Sequence, residues 1–157
     1  YFPFWFILYL HISLNKKVEK ARFRFVEYLF KETSIKLTGE DISDDVEFGI
    51  EPNGIFEEDN KMFILTLNVL VKDKKSSLEV KMTVTGKFEY ETNDIQELVP
   101  YLGFNAPAIM FPYIRAYITN ITALGGMSPI ILPTLNMESV GKELLDKISS
   151  NNGFKTN

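Results

Sequence analysis

From Arg22 to Tyr90, apolar and polar residues alternate with a period of two, the spacing that puts successive side chains on opposite faces of a strand. Phe23 and Phe25 alternate with Arg22 and Arg24, and the run continues through Tyr28 and Phe30 to Leu37. Its apolar face switches near Val26, which predicts a bulge or a break there. After an acidic turn from Gly39 to Asp45, Val46, Phe48 and Ile50 predict a second, short strand ending at the turn signal Pro52-Asn53-Gly54. Phe63, Leu65, Leu67, Val69 and Val71 line one face of a third strand. In the fourth, Leu78, Val80, Met82, Val84, Phe88 and Tyr90 oppose Glu79, Lys81, Thr83, Thr85, Lys87 and Glu89. Strict alternation of this kind predicts an antiparallel sheet with one wet face, and the short turns predict a meander.

The second half changes period. Ala106 to Leu124 carries one charge, Arg115, among apolar residues on every side, and Gly125-Gly126 supplies a stop, so a helix is predicted over 109–124 with Pro112 near its start. One side of such a helix can lie on the sheet. The rest needs a subunit interface, ordinary core or a bilayer, and Pro107, Pro112, Arg115 and Asn120 weigh against a membrane span. The interface reading assigns Ile109, Tyr113, Tyr117, Ile118 and Ile121 to contacts between copies. A connector punctuated by Pro129 and Pro133 leads to Asn136, a cap for a last helix that buries Val140, Leu144, Leu145 and Ile148. The fold class is therefore α+β: a four-stranded antiparallel sheet packed against two C-terminal helices.

The expected organisation is one domain over 22–148, an apolar extension over 1–15 and a polar tail over 149–157. The stretch Tyr1–Leu10 is strongly apolar but too short to span a bilayer. It reads as an upstream extension or wrongly assigned start, or else as a membrane or packing element.

Composition narrows the function classes. Aromatic residues make up 13% of the 157-residue chain, more than a single small core requires, which points to a large interface or a surface that grips apolar ligands. The net charge of -4, with no isolated basic block, argues against nucleic-acid binding. The chain has no Cys, which removes thiol chemistry and fits a reducing cytoplasm. Its single His, His11, lies in the N-terminal stretch, so the body has no histidine base and none of the common zinc-site patterns. Carboxylates cluster at Asp44-Asp45 and Glu57-Glu58-Asp59, but in turns, where solvated charge is the ordinary state. A small carboxylate-based enzyme is the least favoured reading. No catalytic residue, metal site or cofactor is expected. Asn120-Ile121-Thr122 matches a glycosylation triplet inside the apolar helix, where modification is not expected.

The segment from Leu102 to Thr119 resembles the hallmark of the SecB family of protein-export chaperones. Leu102-Gly103, Pro107, Phe111-Pro112-Tyr113 and Arg115 follow its spacing, as do Gly126, Pro129, Pro133 and Asn136 downstream and Gly86-Lys87-Phe88 upstream. The resemblance covers about residues 22–146. It implies a cytoplasmic holdase without ATPase activity, assembled as a homotetramer (a dimer of dimers), that binds unfolded client polypeptides and passes them to the SecA motor. It places clients along Phe48, Ile50, Ile55, Phe56, Leu132, Leu135, Met137, Val140 and Leu144. It places motor docking on the wet sheet face, where Glu32 keeps the acidic character, Lys36 and Lys81 reverse it, and Glu79 restores it if the alignment shifts by two residues. That departure keeps open a second reading: a dedicated SecB-like chaperone that protects an antitoxin. Nucleic acid and stable membrane insertion are not implied.

Overall fold

The computed structural model describes residues 22–152. The expectations for residues 1–15, for His11 and for the end of the tail lie outside the described residues. Four strands come first: β1 (Phe23–Leu37), β2 (Val46–Glu57), β3 (Met62–Asp73) and β4 (Leu78–Tyr90). Two helices follow, α1 (Ala106–Leu124) and α2 (Glu138–Asn152). The strands form one antiparallel sheet, and both helices cover one face of it, as the alternation in β3 and β4 requires. Phe63, Leu65, Leu67, Val80, Val84 and Phe88 are fully buried beneath the helices.

The meander holds only for β2, β3 and β4. The strand order is β1-β4-β3-β2, so β1 pairs with β4 and its connection crosses to the opposite edge. Asp73 holds that crossover in place. Its carboxylate, 2% exposed, accepts from the Leu78 N–H at 2.7 Å and from the Ser43 N–H at 3.1 Å. These bonds, Leu78 above all, lower its pKa below the ordinary value. Near Val26, β1 is bulged and not broken, between Phe25 and Glu27, and a second bulge lies between Phe30 and Glu32.

β2 does not end at Pro52-Asn53-Gly54. It runs through them to Glu57, with Pro52 opposite Leu67 and Gly54 opposite Leu65. An edge strand tolerates proline when its missing N–H faces away from the ladder.

α1 ends where expected, at Leu124, but it starts at Ala106, ahead of the expected Ile109, so Pro107 takes the starting position and Pro112 sits inside the helix on its exposed side. Asn136 caps α2 as expected, its Oδ1 accepting from the Glu138 N–H at 3.0 Å. α2 extends past Ser149 into the expected tail, where the Ser149 and Ser150 hydroxyls donate to carbonyls four residues back, both at 2.8 Å. The helices meet where Gly141 of α2 rests on the Gly103 backbone, in the wide turn Tyr101–Asn105 that leads into α1. A Cβ at Gly141 would collide with that backbone. Gly86 of β4 plays the same part for α1, leaving room for the Met110 thioether. No helix among the described residues is long and apolar enough to cross a membrane.

Candidate functional site

Two apolar hollows meet beside the β2 edge. The first, about 320 Å³, lies between β2 and the start of α2. Phe48 and Ile50 form one wall, and Leu135, Met137 and Val140 form the other. β2 supplies its wall because even-numbered residues face the helices. The connector supplies the other because Pro129 and Pro133 keep it extended, and Asn136 then starts α2. The second hollow, about 420 Å³, shares Leu135, Asn136 and Met137 and continues toward α1 over Phe104, Ala108, Phe111 and Pro112. Phe48 and Phe111 touch edge to face at 6.0 Å, so the two form one trough.

The trough brings together Phe48, Ile50, Leu135, Met137 and Val140 from the expected client set. It does not include the others. Leu132 and Leu144 are 0% exposed and belong to the core. Phe56 packs inward on Phe63 at 4.9 Å, and Ile55, 59% exposed, points to the opposite sheet face. Phe104 and Phe111 lie outside the expected set. Phe104 is large, apolar and exposed just before a helix, which was the available signal.

The residues expected between copies divide in a similar way. Ile118 is 0% exposed, since Ile114, Ile118 and Thr122 form the inner stripe of α1, so its assignment to a surface is corrected. Thr122, the end of the glycosylation triplet, is fully buried. Ile109 and Ile121 are half-buried. Tyr113 and Tyr117 pack on β1: Tyr113 lies 4.3 Å from Tyr28, and Tyr117 stacks on Phe30 at 3.8 Å and bonds Thr33 Oγ1 at 3.0 Å. Beside them Leu124, Ile131, Ile35 and Leu37 are exposed, leaving an apolar margin along α1 and β1.

The outer sheet face carries most of the charged side chains, with Leu29 and Ile55 exposed among them. Glu79 hydrogen-bonds Lys81 at 2.9 Å and Lys72 at 3.0 Å, and these ammonium groups, Lys81 first, hold its pKa down to about 2. Lys36 stands opposite Glu79, and Glu32 opposite Thr83. Glu27 pairs with Lys87 at 2.6 Å, and Arg24 with Glu89 at 2.7 Å. Glu32 and Lys81 border a shallow hollow of about 640 Å³ whose lining includes Asn68 and Thr83 together with Leu70. Of the acidic clusters, Asp45 is ion-paired with Lys74, and Glu57, Glu58 and Asp59 are exposed. No group of three or more metal-ligating side chains occurs among the described residues.

The family model for preprotein translocase subunit SecB matches residues 37–145. An uncharacterized protein of Methanocaldococcus jannaschii is 32% identical over 127 residues, covering 78% of this chain and 77% of that one. The protein-export protein SecB of a Janthinobacterium species is 29% identical over 106 residues, and SecB 2 of Polaromonas naphthalenivorans is 29% identical over 89 residues. The chain spans 62% and 52% of the length of these two export proteins. Among solved structures, a SecB-like chaperone of Mycobacterium tuberculosis, in complex with an antitoxin peptide, shares the fold with a TM-score of 0.62 at 15% identity. That likeness covers 73% of this chain and 91% of that one. The match over most of the folded region, with the hallmark segment forming α1 and the turn that docks α2, makes this chain a member of the SecB family.

Proposed function

We propose that the protein is an ATP-independent cytoplasmic holdase. It binds unfolded preproteins in the trough over Phe48, Ile50, Leu135, Met137 and Val140 and keeps them competent for Sec-dependent export. The observation that carries this reading is the trough itself: half-buried Phe48, Ile50, Leu135 and Val140 and exposed Phe104, with Met137 and Phe111 buried beneath them, between an edge strand and a helix. Such side chains repack around many sequences, as a promiscuous binder requires. Copies associate through the apolar margin of α1 and β1 into a dimer of dimers, since that margin gains by leaving water. No catalysis is part of this reading.

The protein is expected to suppress aggregation of a chemically denatured client at near-stoichiometric ratio without nucleotide. Leu135→Asp and Val140→Asp are expected to weaken holding while leaving the melting temperature within about 2 °C, because both positions are partly open to solvent. Aggregation at the rate of the client alone would refute the proposal.

The charge geometry favours a second reading, a dedicated chaperone for an antitoxin. Acidic docking of a motor protein needs carboxylates free to meet its cations, and Glu79 is already held between Lys72 and Lys81. Titration against SecA from the same organism and against a neighbouring antitoxin separates the two. Micromolar SecA binding at physiological salt favours export, and its absence alongside tight antitoxin binding favours the dedicated role.

A further inference from the structure

The connector between α1 and α2 supplies one wall of the trough, yet its own pattern does not say which way it faces. Ile130, Ile131 and Leu132 are three aliphatic residues in succession, so the period of two that would orient an extended segment is missing. Pro129 and Pro133 keep the segment extended but leave its rotation open. The structure seals Ile130 and Leu132 in the core, Leu132 at 0% exposed, and turns Ile131 outward at 68%.

Two threonine hydroxyls of α1 hold Ile130 by both of its backbone groups. Thr122 Oγ1 accepts from the Ile130 N–H at 3.0 Å, and Thr119 Oγ1 donates to the Ile130 carbonyl at 2.8 Å. Thr122 is fully buried, and its hydroxyl hydrogen goes to the Ile118 carbonyl at 2.8 Å, which leaves its oxygen to accept. Thr119 also has the Arg115 carbonyl at 3.0 Å, the back-bond open to any helical threonine, but the Ile130 carbonyl is closer. The Met127 N–H, donating to the Thr122 carbonyl at 3.1 Å, delivers the chain to this point. An extended residue directs its N–H and C=O to the same side and its side chain across that direction. Tying both groups of Ile130 to α1 therefore fixes the rotation of the segment about its own axis, and with it which members of the triplet face inward.

We propose that Thr119 and Thr122 are positioning residues for the trough: their hydroxyls set the rotation of the connector, and Pro133 carries that setting on to Leu135 and Met137. Valine at either position fills the same space without a hydroxyl. At Thr122 it leaves the Ile130 N–H buried with no acceptor. A half-turn of the segment about its axis releases that group to water, brings Ile131 inward and sends Leu132 out. The consequence for client binding rests on the holdase reading, whereas the orientation of the connector does not.

The chain contains no Cys, so a single introduced thiol reports its own exposure to a maleimide reagent. With Leu132→Cys as reporter, adding Thr122→Val is expected to raise the labelling rate about tenfold or more, the factor that follows from one buried N–H left unpaired. Thr122→Ser keeps the hydroxyl and is expected to leave the rate within about twofold. Val84→Cys, equally buried in β4, separates a turned connector from general loosening, and its rate is expected to stay within about twofold in every background. Without any cysteine, the Thr122→Val protein is expected to hold a denatured client several-fold less well, and the Thr122→Ser protein as well as the parent. An unchanged rate at Leu132→Cys in the Thr122→Val background, a parallel rise at Val84→Cys, or an equal rise with Thr122→Ser would overturn the inference. Should Thr122→Val fail to fold, Thr119→Val, at a half-buried position, decides by the same rates. If the parent holds a client and the Leu132→Cys rate does not move, this inference alone falls. If the rates move as expected but the parent holds no client, the holdase reading falls and the positioning of the connector stands.

Discussion

Gly141→Ala sets two effects of opposite sign against each other. Gly141 lies inside α2, where alanine is the better helix former by about 1 kcal/mol. The added methyl would sit 2.5 Å from the Gly103 carbonyl carbon and 3.0 Å from its Cα, and closer still to its oxygen. Carbon atoms need about 3.5 Å. The obstruction is backbone on both sides, so no rotamer change relieves it. Either α2 or the turn at Tyr101–Asn105 must withdraw by about 1.5 Å to clear the Gly103 oxygen, at a cost of about 1–3 kcal/mol and more where buried neighbours follow. Leu144 and Ile148, on the buried face of α2, are such neighbours. The net expectation is a loss of about 2 kcal/mol, or a fall in melting temperature of about 5–10 °C. Thermal unfolding followed by circular dichroism measures it, with Gly49→Ala as control, since a Cβ there meets no atom within 4 Å. Because α2 forms one wall of the trough, client holding is expected to fall as well. A Gly141→Ala protein as stable as the parent, or gaining the 1 kcal/mol of helix propensity, would refute the close approach of Gly141 to Gly103.

Ile118→Asp is expected to prevent folding, by about 4 kcal/mol or more, instead of yielding a folded monomer, because it places a charge in the core; a soluble, folded monomer by light scattering would return Ile118 to the surface. Asp73→Asn is expected to be destabilising near neutral pH. Since the folded pKa of Asp73 lies below its ordinary value of 3.8, the advantage of the carboxylate is complete above that value and disappears as pH falls through the lowered one. Melting curves of the two proteins should converge toward pH 2, and a constant gap would contradict the assignment. Lys36→Glu with Lys81→Glu is expected to raise the on-rate for SecA about tenfold at low salt and less at physiological salt, while a salt-independent change would rule out charge as the cause.

The sequence alone determined the elements that repeat a local period. β3 and β4 were legible because every second side chain is apolar, and the bulge near Val26 because the parity breaks there. The end of α1 followed from Gly125-Gly126, the start of α2 from the cap at Asn136, and the fold class from these together. Period and parity say which face is buried but not which neighbour a strand takes. The pairing of β1 with β4 was therefore decided by tertiary structure, through an Asp73 carboxylate that ties the crossover to the β3–β4 turn. The same limit governed the site. Pro52-Asn53-Gly54 carries a turn signal, yet the ladder with β3 extends it as edge strand. A helix apolar all round does not reveal which side is interior, so Ile118 passed for surface while Phe111 was overlooked. Leu132 and Leu144 look like their groove neighbours Leu135 and Val140 in sequence. Only the docking of α2, through the contact of Gly141 with Gly103, separates the leucines sealed in the core from the residues left open beside β2.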